Sequence, residues 1–125
     1  MYHKDLEAWK EAIKYVTKIY LITNKFPKSE MFGLTNQIRR CVISIPSNIA
    51  EGCGRSSIKE TARFLGISLG SIAELDTQLI ISQNLGYLDN SDEVFEGLNR
   101  ISALTSGLKK HLDKQTSQLL SNLVT

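Results

Sequence analysis

Apolar residues return every three or four positions through four long stretches of this chain, a period that admits a helix and little else. In the first stretch, 5–24, Leu6, Trp9, Ile13, Val16 and Tyr20 form one stripe, widened by Ala8, Ala12, Tyr15, Ile19 and Ile22. Lys4, Glu7, Glu11, Lys14 and Lys18 make the opposite, solvated side, with pairs such as Glu7–Lys10 and Glu11–Lys14. Phe26-Pro27 ends the pattern, because a residue before proline is pushed out of helical angles. The second stretch starts near Ser29 and reaches Gly52, with Leu34, Ile38, Val42, Ile45 and Ile49 as its stripe. Gln37, Arg40, Ser44, Ser47, Asn48 and Glu51 form a polar stripe beside it, and Pro46 is expected to kink the helix near Val42.

The segment from Gly52 to Ser57 is the most loop-like in the chain. Ser57 and Glu60 then have the spacing of a capping box, which opens a third helix that Gly86 stops. At 100° per residue, Ile58, Ala62, Leu65, Leu69, Ile72, Leu79 and Ile80 share one face, and Asp76 falls in its middle. Ile67, Ile81 and Leu85 fall on the far side, among Glu60, Arg63, Glu74 and Gln78. A lone bundle helix has no reason to carry large aliphatics through its polar face, so these three are the expected contacts between copies. Asn90 or Ser91 caps a fourth helix whose first turn is acidic, and Val94, Leu98, Ile101, Leu108, Leu112 and Leu119 carry its stripe. Lys109, Lys110, His111 and Lys114 are read as complementing its C-terminal dipole, and 121–125 as fraying. Four such helices with short connections predict an all-α, antiparallel, up-and-down four-helix bundle forming one domain, 1–125.

Several function classes drop out on residue content. His3 and His111 lie at opposite ends with no nucleophile or carboxylate at motif spacing, so no catalytic residue is assigned and a surface role suits both. Cys41 and Cys53 do not make zinc spacing, and no Glu-x-x-His pair is present, so no metal and no cofactor is expected. Two cysteines read as a reduced thiol pair; with no secretory pattern at 1–5 and no uncharged apolar run of spanning length, a cytoplasmic protein off the membrane is expected. Net charge is +2, but residues 1–65 hold eleven Lys/Arg against six Asp/Glu, and residues 66–125 hold four against seven. That imbalance steers an anionic partner to one end, aligns copies basic end to acidic end, or is plain solvated surface.

Three constellations carry functional weight. Arg39 and Arg40 sit adjacent on the second helix, where one is expected to pair inside the bundle, with Asp76 or Glu74, and phosphate or partner contact is the alternative. Arg55, with Lys59 and Arg63 beyond it, meets the exposed N–H groups opening the third helix, either as a simple cap or as an anion site. Asp76, with Ser44 and Asn48, reads as a polar network in the core.

Taken in order, Leu6 with Trp9, Phe26-Pro27-x-x-Glu30, Gly33-Leu34, Gln37-Ile38-Arg39-Arg40, the run from Ser44 to Gly52, Gly54-Arg55 and Gly70-Ser71-x-x-Glu74-Leu75 resemble a known family. It is the family of four-helix bundle proteins encoded within intervening sequences of bacterial 23S ribosomal RNA genes. The resemblance implies a homo-oligomeric ring, typically a pentamer, and takes in the accessory protein of diversity-generating retroelements, a basic ring that binds nucleic acid. It therefore implies RNA or DNA as partner, with Arg39, Arg40, Arg55 and Arg63 as the contacts, and Lys59 joins them from its place beside Arg55 in the candidate anion site. This chain is far less basic than such a relative, and an adaptor that binds another protein is the competing expectation.

Overall fold

The structure, a computed structural model, describes residues 1–89 and 92–124. Among these the chain is all-helical: α1 spans Glu7–Thr23, α2 Leu34–Cys53, α3 Ile58–Asn84 and α4 Asp92–Val124, with short 3₁₀ turns at His3–Asp5 and Lys28–Glu30. The second helix starts later than its apolar pattern suggests. Pro27 leads into the 3₁₀ turn, and Gly33 breaks from helical angles, so α2 opens only at Leu34. Glu30 bridges that corner, accepting from the Leu34 N–H at 3.5 Å and from the Tyr87 hydroxyl at 3.0 Å.

Ser57 accepts from the Glu60 N–H at 3.1 Å, so the expected cap of α3 is formed. The helix ends where Gly86 takes φ 79°, an angle that costs other residues dearly. α2 runs unbroken through the buried Pro46. The cap expected at Asn90 or Ser91 lies outside the described residues, as does Thr125. The helix itself continues through Val124, beyond the expected fraying point.

α1 packs on α2 and α4, and α3 packs on α2 and α4. Across α2 and α3, Thr61 donates to the Gly52 carbonyl, Ser68 to the Ile45 carbonyl and the Cys41 thiol to the Ser71 carbonyl. Across α1 and α4, Tyr15 donates to the Val94 carbonyl, Lys18 meets Glu93 and Glu11 meets Arg100. Glu7–Lys10 forms as the spacing predicts, whereas Glu11 turns to α4 instead of Lys14.

The core faces are rotated from the hydropathy reading in two helices. α1 buries Ala8, Ala12, Tyr15, Ile19 and Thr23; Leu6, Trp9, Val16 and Tyr20 flank them, and Ile13 is exposed. α3 centres its buried face on Leu65, Ser68, Ile72, Leu75, Leu79 and Ser82, leaving Ile58 and Ile80 exposed and Asp76 only half-buried. The cause is hydroxyl chemistry. Thr23, Ser82 and Thr105 each donate to a carbonyl four residues back, while Thr61 and Ser68 donate to α2. A hydroxyl satisfied in this way is buried at little cost, so polarity alone misplaces it.

By length and composition alone α3 is apolar enough to cross a membrane, although Glu74 and Asp76 interrupt its apolar run. Its aliphatics, however, are divided between the core and an outward row described below.

Candidate nucleic-acid interface

The corner where α2 ends and α3 begins is built around Gly52. A Cβ placed there would lie 2.7 Å from the Phe64 Cβ and 3.1 Å from the Thr61 carbonyl, so only glycine lets the helices approach this closely. Phe64 is thereby pressed onto α2, and two guanidinium groups sit over its ring. Arg55 and Arg63 each lie 4.6 Å from the ring centroid. Arg55 also pairs with Glu51 at 2.6 Å, and Arg63 with Glu60 at 2.6 Å. The Arg63 hydrogen bond holds the Glu60 carboxyl below the usual carboxylate range.

Lys59 and Arg63 face Lys109 of α4 across a hollow of about 540 Å³, where Lys109 pairs with Asp113 at 2.8 Å. Four cations thus converge on one corner against three carboxylates, all with part of the side chain in water. Such a surface offers a phosphate fixed hydrogen-bond donors without the cost of burying charge.

The structure separates the other two arginines from this corner. Arg39 donates to the Thr23 hydroxyl and the Asn24 side chain, both at 2.9 Å, reaches the Tyr20 carbonyl at 3.4 Å, and lies over the Tyr20 ring. It closes the C-terminal end of α1, where helix carbonyls lack partners and positive charge is favoured. An arginine does pair inside the bundle, then, but with a helix end and not with Asp76 or Glu74. Arg40 is exposed and lines a groove between α2 and α3 together with Glu74. Some 14 residues of helix, about 21 Å, part these two from the end of α2.

The remaining expectations fall differently. Among the described residues Asp76 forms no ion pair, and its charge acts instead on Tyr15. Ser44 donates to the Cys41 carbonyl and Asn48 to the Ser44 carbonyl, so both are spent on their own helix and not on Asp76. Ile67, Ile81 and Leu85 stand outward on α3, 40%, 44% and 52% exposed. No group of three His, Cys, Asp or Glu residues among those described could hold a metal ion.

Sequence reasoning misses Lys109 and Phe64 at this corner. Lys109 reads as a helix-end charge, but α4 runs on to Val124, so it stands mid-helix, with its Cε 3.3 Å from where a Cβ on Gly66 would lie. Only the pairing of α3 with α4 reveals it. Phe64 falls outside the expected apolar face, and only the neighbouring Gly52 hints at its partner.

Cys41 lies between these features. Burial, then the Glu74 charge, push its thiol up to about 11 against an opposing backbone hydrogen bond. A thiol with that value is neutral at pH 8, and the thiolate is the nucleophile. Alkylation of Cys41 by iodoacetamide at pH 8 is therefore expected to run at least about 100-fold slower than that of a free thiol. Peptide mapping by mass spectrometry checks this, and prompt labelling of Cys41 would show it more open than its contacts suggest.

The sequence pattern of the family described as 23S rRNA-intervening sequence protein matches residues 4–110. No curated protein matches the chain.

Proposed function

Because the chain belongs to the 23S rRNA-intervening sequence protein family, we propose that it is a non-catalytic, homo-oligomeric bundle that associates with ribosomal RNA through phosphate contacts in the cytoplasm. The single observation that carries this reading is the meeting of Arg55, Lys59, Arg63 and Lys109 at one corner. Phosphate contacts of this kind fix position without reading sequence. The helices are read as an antiparallel up-and-down bundle, supported by the opposed residue order across α2 and α3 and across α1 and α4. The outward aliphatics of α3 support assembly of copies, and the fivefold ring comes from the family resemblance.

The test is a triple substitution, Arg55→Ala, Lys59→Ala and Arg63→Ala, with Arg39 left in place because it closes α1. Retention of a ribosomal RNA fragment on a filter is expected to fall to background. The slope of log affinity against log salt should flatten by roughly two to three, about 0.7–0.9 for each phosphate no longer neutralised. Unchanged retention with unchanged slope would overturn the reading.

The carboxylates favour a second reading. Glu51, Glu60 and Asp113 neutralise three of the four cations, which suits an adaptor that meets another protein through a polar rim. Protein purified without nuclease separates the two readings, since a 260/280 nm absorbance ratio typical of bare protein favours the adaptor.

A further inference from the structure

Phe64 floors the corner between α2 and α3 but is not itself a surface, for only 8% of it meets solvent. What the corner presents outward is the pair of guanidinium groups over that ring, Arg55 and Arg63, each 4.6 Å from its centroid. The two therefore lie no further apart than twice that distance. Their side chains keep 43% and 57% of their surface in water. Each is tied to one carboxylate through one nitrogen, Arg55 by Nη2 to Glu51 and Arg63 by Nε to Glu60. A guanidinium held over a ring and anchored at one edge has its plane fixed, and it still has N–H groups to donate.

Such a plane does something a lysine ammonium cannot: a nucleobase lays its flat face on it. Only a base freed from its neighbours in a duplex has a face to give.

Charge and size point the same way. Glu51, Glu60 and Asp113 offset three of the four cations, and Lys59 alone has no ion pair among the described residues. So small a surplus of charge is a poor match for a double helix, which is bound chiefly through the phosphates of two strands. The α3 side of the corner, from Ser57 to Arg63, covers about 9 Å of helix. Recognition of duplex RNA by shape takes a contact of about 16 base pairs. A few unpaired nucleotides match a surface of this size.

We propose that the corner takes an unpaired RNA strand, with bases stacked on Arg55 and Arg63 and phosphates met by Lys59 and Lys109, which share one hollow with Arg63. This rests on the ribosomal-RNA reading above and names the form of strand that reading leaves open.

Arg55→Lys combined with Arg63→Lys keeps both charges and removes both planes. Filter retention is measured for a short mixed-sequence RNA strand, for that strand paired with its complement, and for a sugar-phosphate strand of equal length without bases. The unaltered protein is expected to hold the intact strand at least about tenfold more tightly than either of the other probes. The lysine variant should lose about tenfold or more on the intact strand and less than about twofold on the duplex. Its salt dependence should stay the same, because its charge does. Both arginines are on the surface, so circular dichroism should show the variant folded.

Duplex or baseless strand held as tightly as the intact strand by the unaltered protein would overturn the proposal and leave binding of ribosomal RNA standing. Full affinity of the lysine variant for the intact strand would do the same. The comparison with the baseless strand uses the unaltered protein, so it decides the matter even where the variant fails to fold. Retention of no probe at all by the unaltered protein would remove the ribosomal-RNA reading and the proposal with it.

Discussion

Replacing Ile67 and Ile81 together by lysine is expected to give folded monomers in place of an assembly. Each isoleucine leaves some two-fifths of its surface bare in the lone subunit, so neither holds the bundle together. Their effect falls between copies, where burying the bare part of an isoleucine contributes about 1 kcal/mol. A lysine forced into the same place loses that and must also shed its hydration without a partner, at several kcal/mol. Taking about 3 kcal/mol per site, the two substitutions weaken association by roughly 10⁴-fold. Light scattering with dilution series reads the change directly, and circular dichroism checks that helix content is kept. An unaltered assembly would mean that copies meet elsewhere, and an unaltered protein already monomeric would mean that they do not meet.

The largest effect on the subunit itself is expected at Tyr15. Its ring is buried between α1 and α4, with Cε1 3.0 Å from where a Cβ on Gly97 would lie, and its hydroxyl donates to the Val94 carbonyl at 2.7 Å. Tyr15→Ala removes the ring and leaves a cavity, a change worth about 3–5 kcal/mol where total stability is about 5–15 kcal/mol. Urea denaturation at fixed protein concentration should show most of that loss in the midpoint. Tyr15→Phe keeps the packing and gives up the hydrogen bond, so about 1 kcal/mol is expected.

The two variants also differ in alkali. Burial, then the Asp76 charge, push the Tyr15 phenol above its ordinary value. A group whose folded value is raised contributes stability that is complete below its unfolded value and is lost as pH rises from there through the folded one. The unaltered protein should therefore weaken as pH rises past about 9, where Cys41 begins to contribute, and further past about 10, where Tyr15 does. Tyr15→Phe should flatten the second part of that decline. An identical alkaline decline in both proteins would rule Tyr15 out as its source.

Much of this architecture is legible in the sequence, because the period of the apolar residues and the Ser57 and Gly86 punctuation are local signals. The outward placement of Ile67, Ile81 and Leu85 is also a local matter of helical angle. What the pattern misreads is rotation. Ser68 and Ser82 are polar by composition and fully buried in fact, and a scale that scores side chains singly does not see a hydroxyl returned to a carbonyl. Asp76 falls at the centre of the expected face because isoleucines on both sides draw that face toward it. The cationic corner needs knowledge of neighbours: Arg55, Lys59 and Arg63 follow from chain order, whereas Lys109 arrives from α4, some fifty residues on. Arg39 shows the converse, since a residue that reads as a phosphate contact is used up closing the end of α1.

Gly52 ties shape and charge together at one point. The absent side chain at that position decides how far Phe64 sinks, and the depth of the ring decides where two guanidinium groups rest. Any bulk added there lifts a pair of positive charges at once, so the outline of the helix junction and the electric field in front of it cannot be adjusted separately.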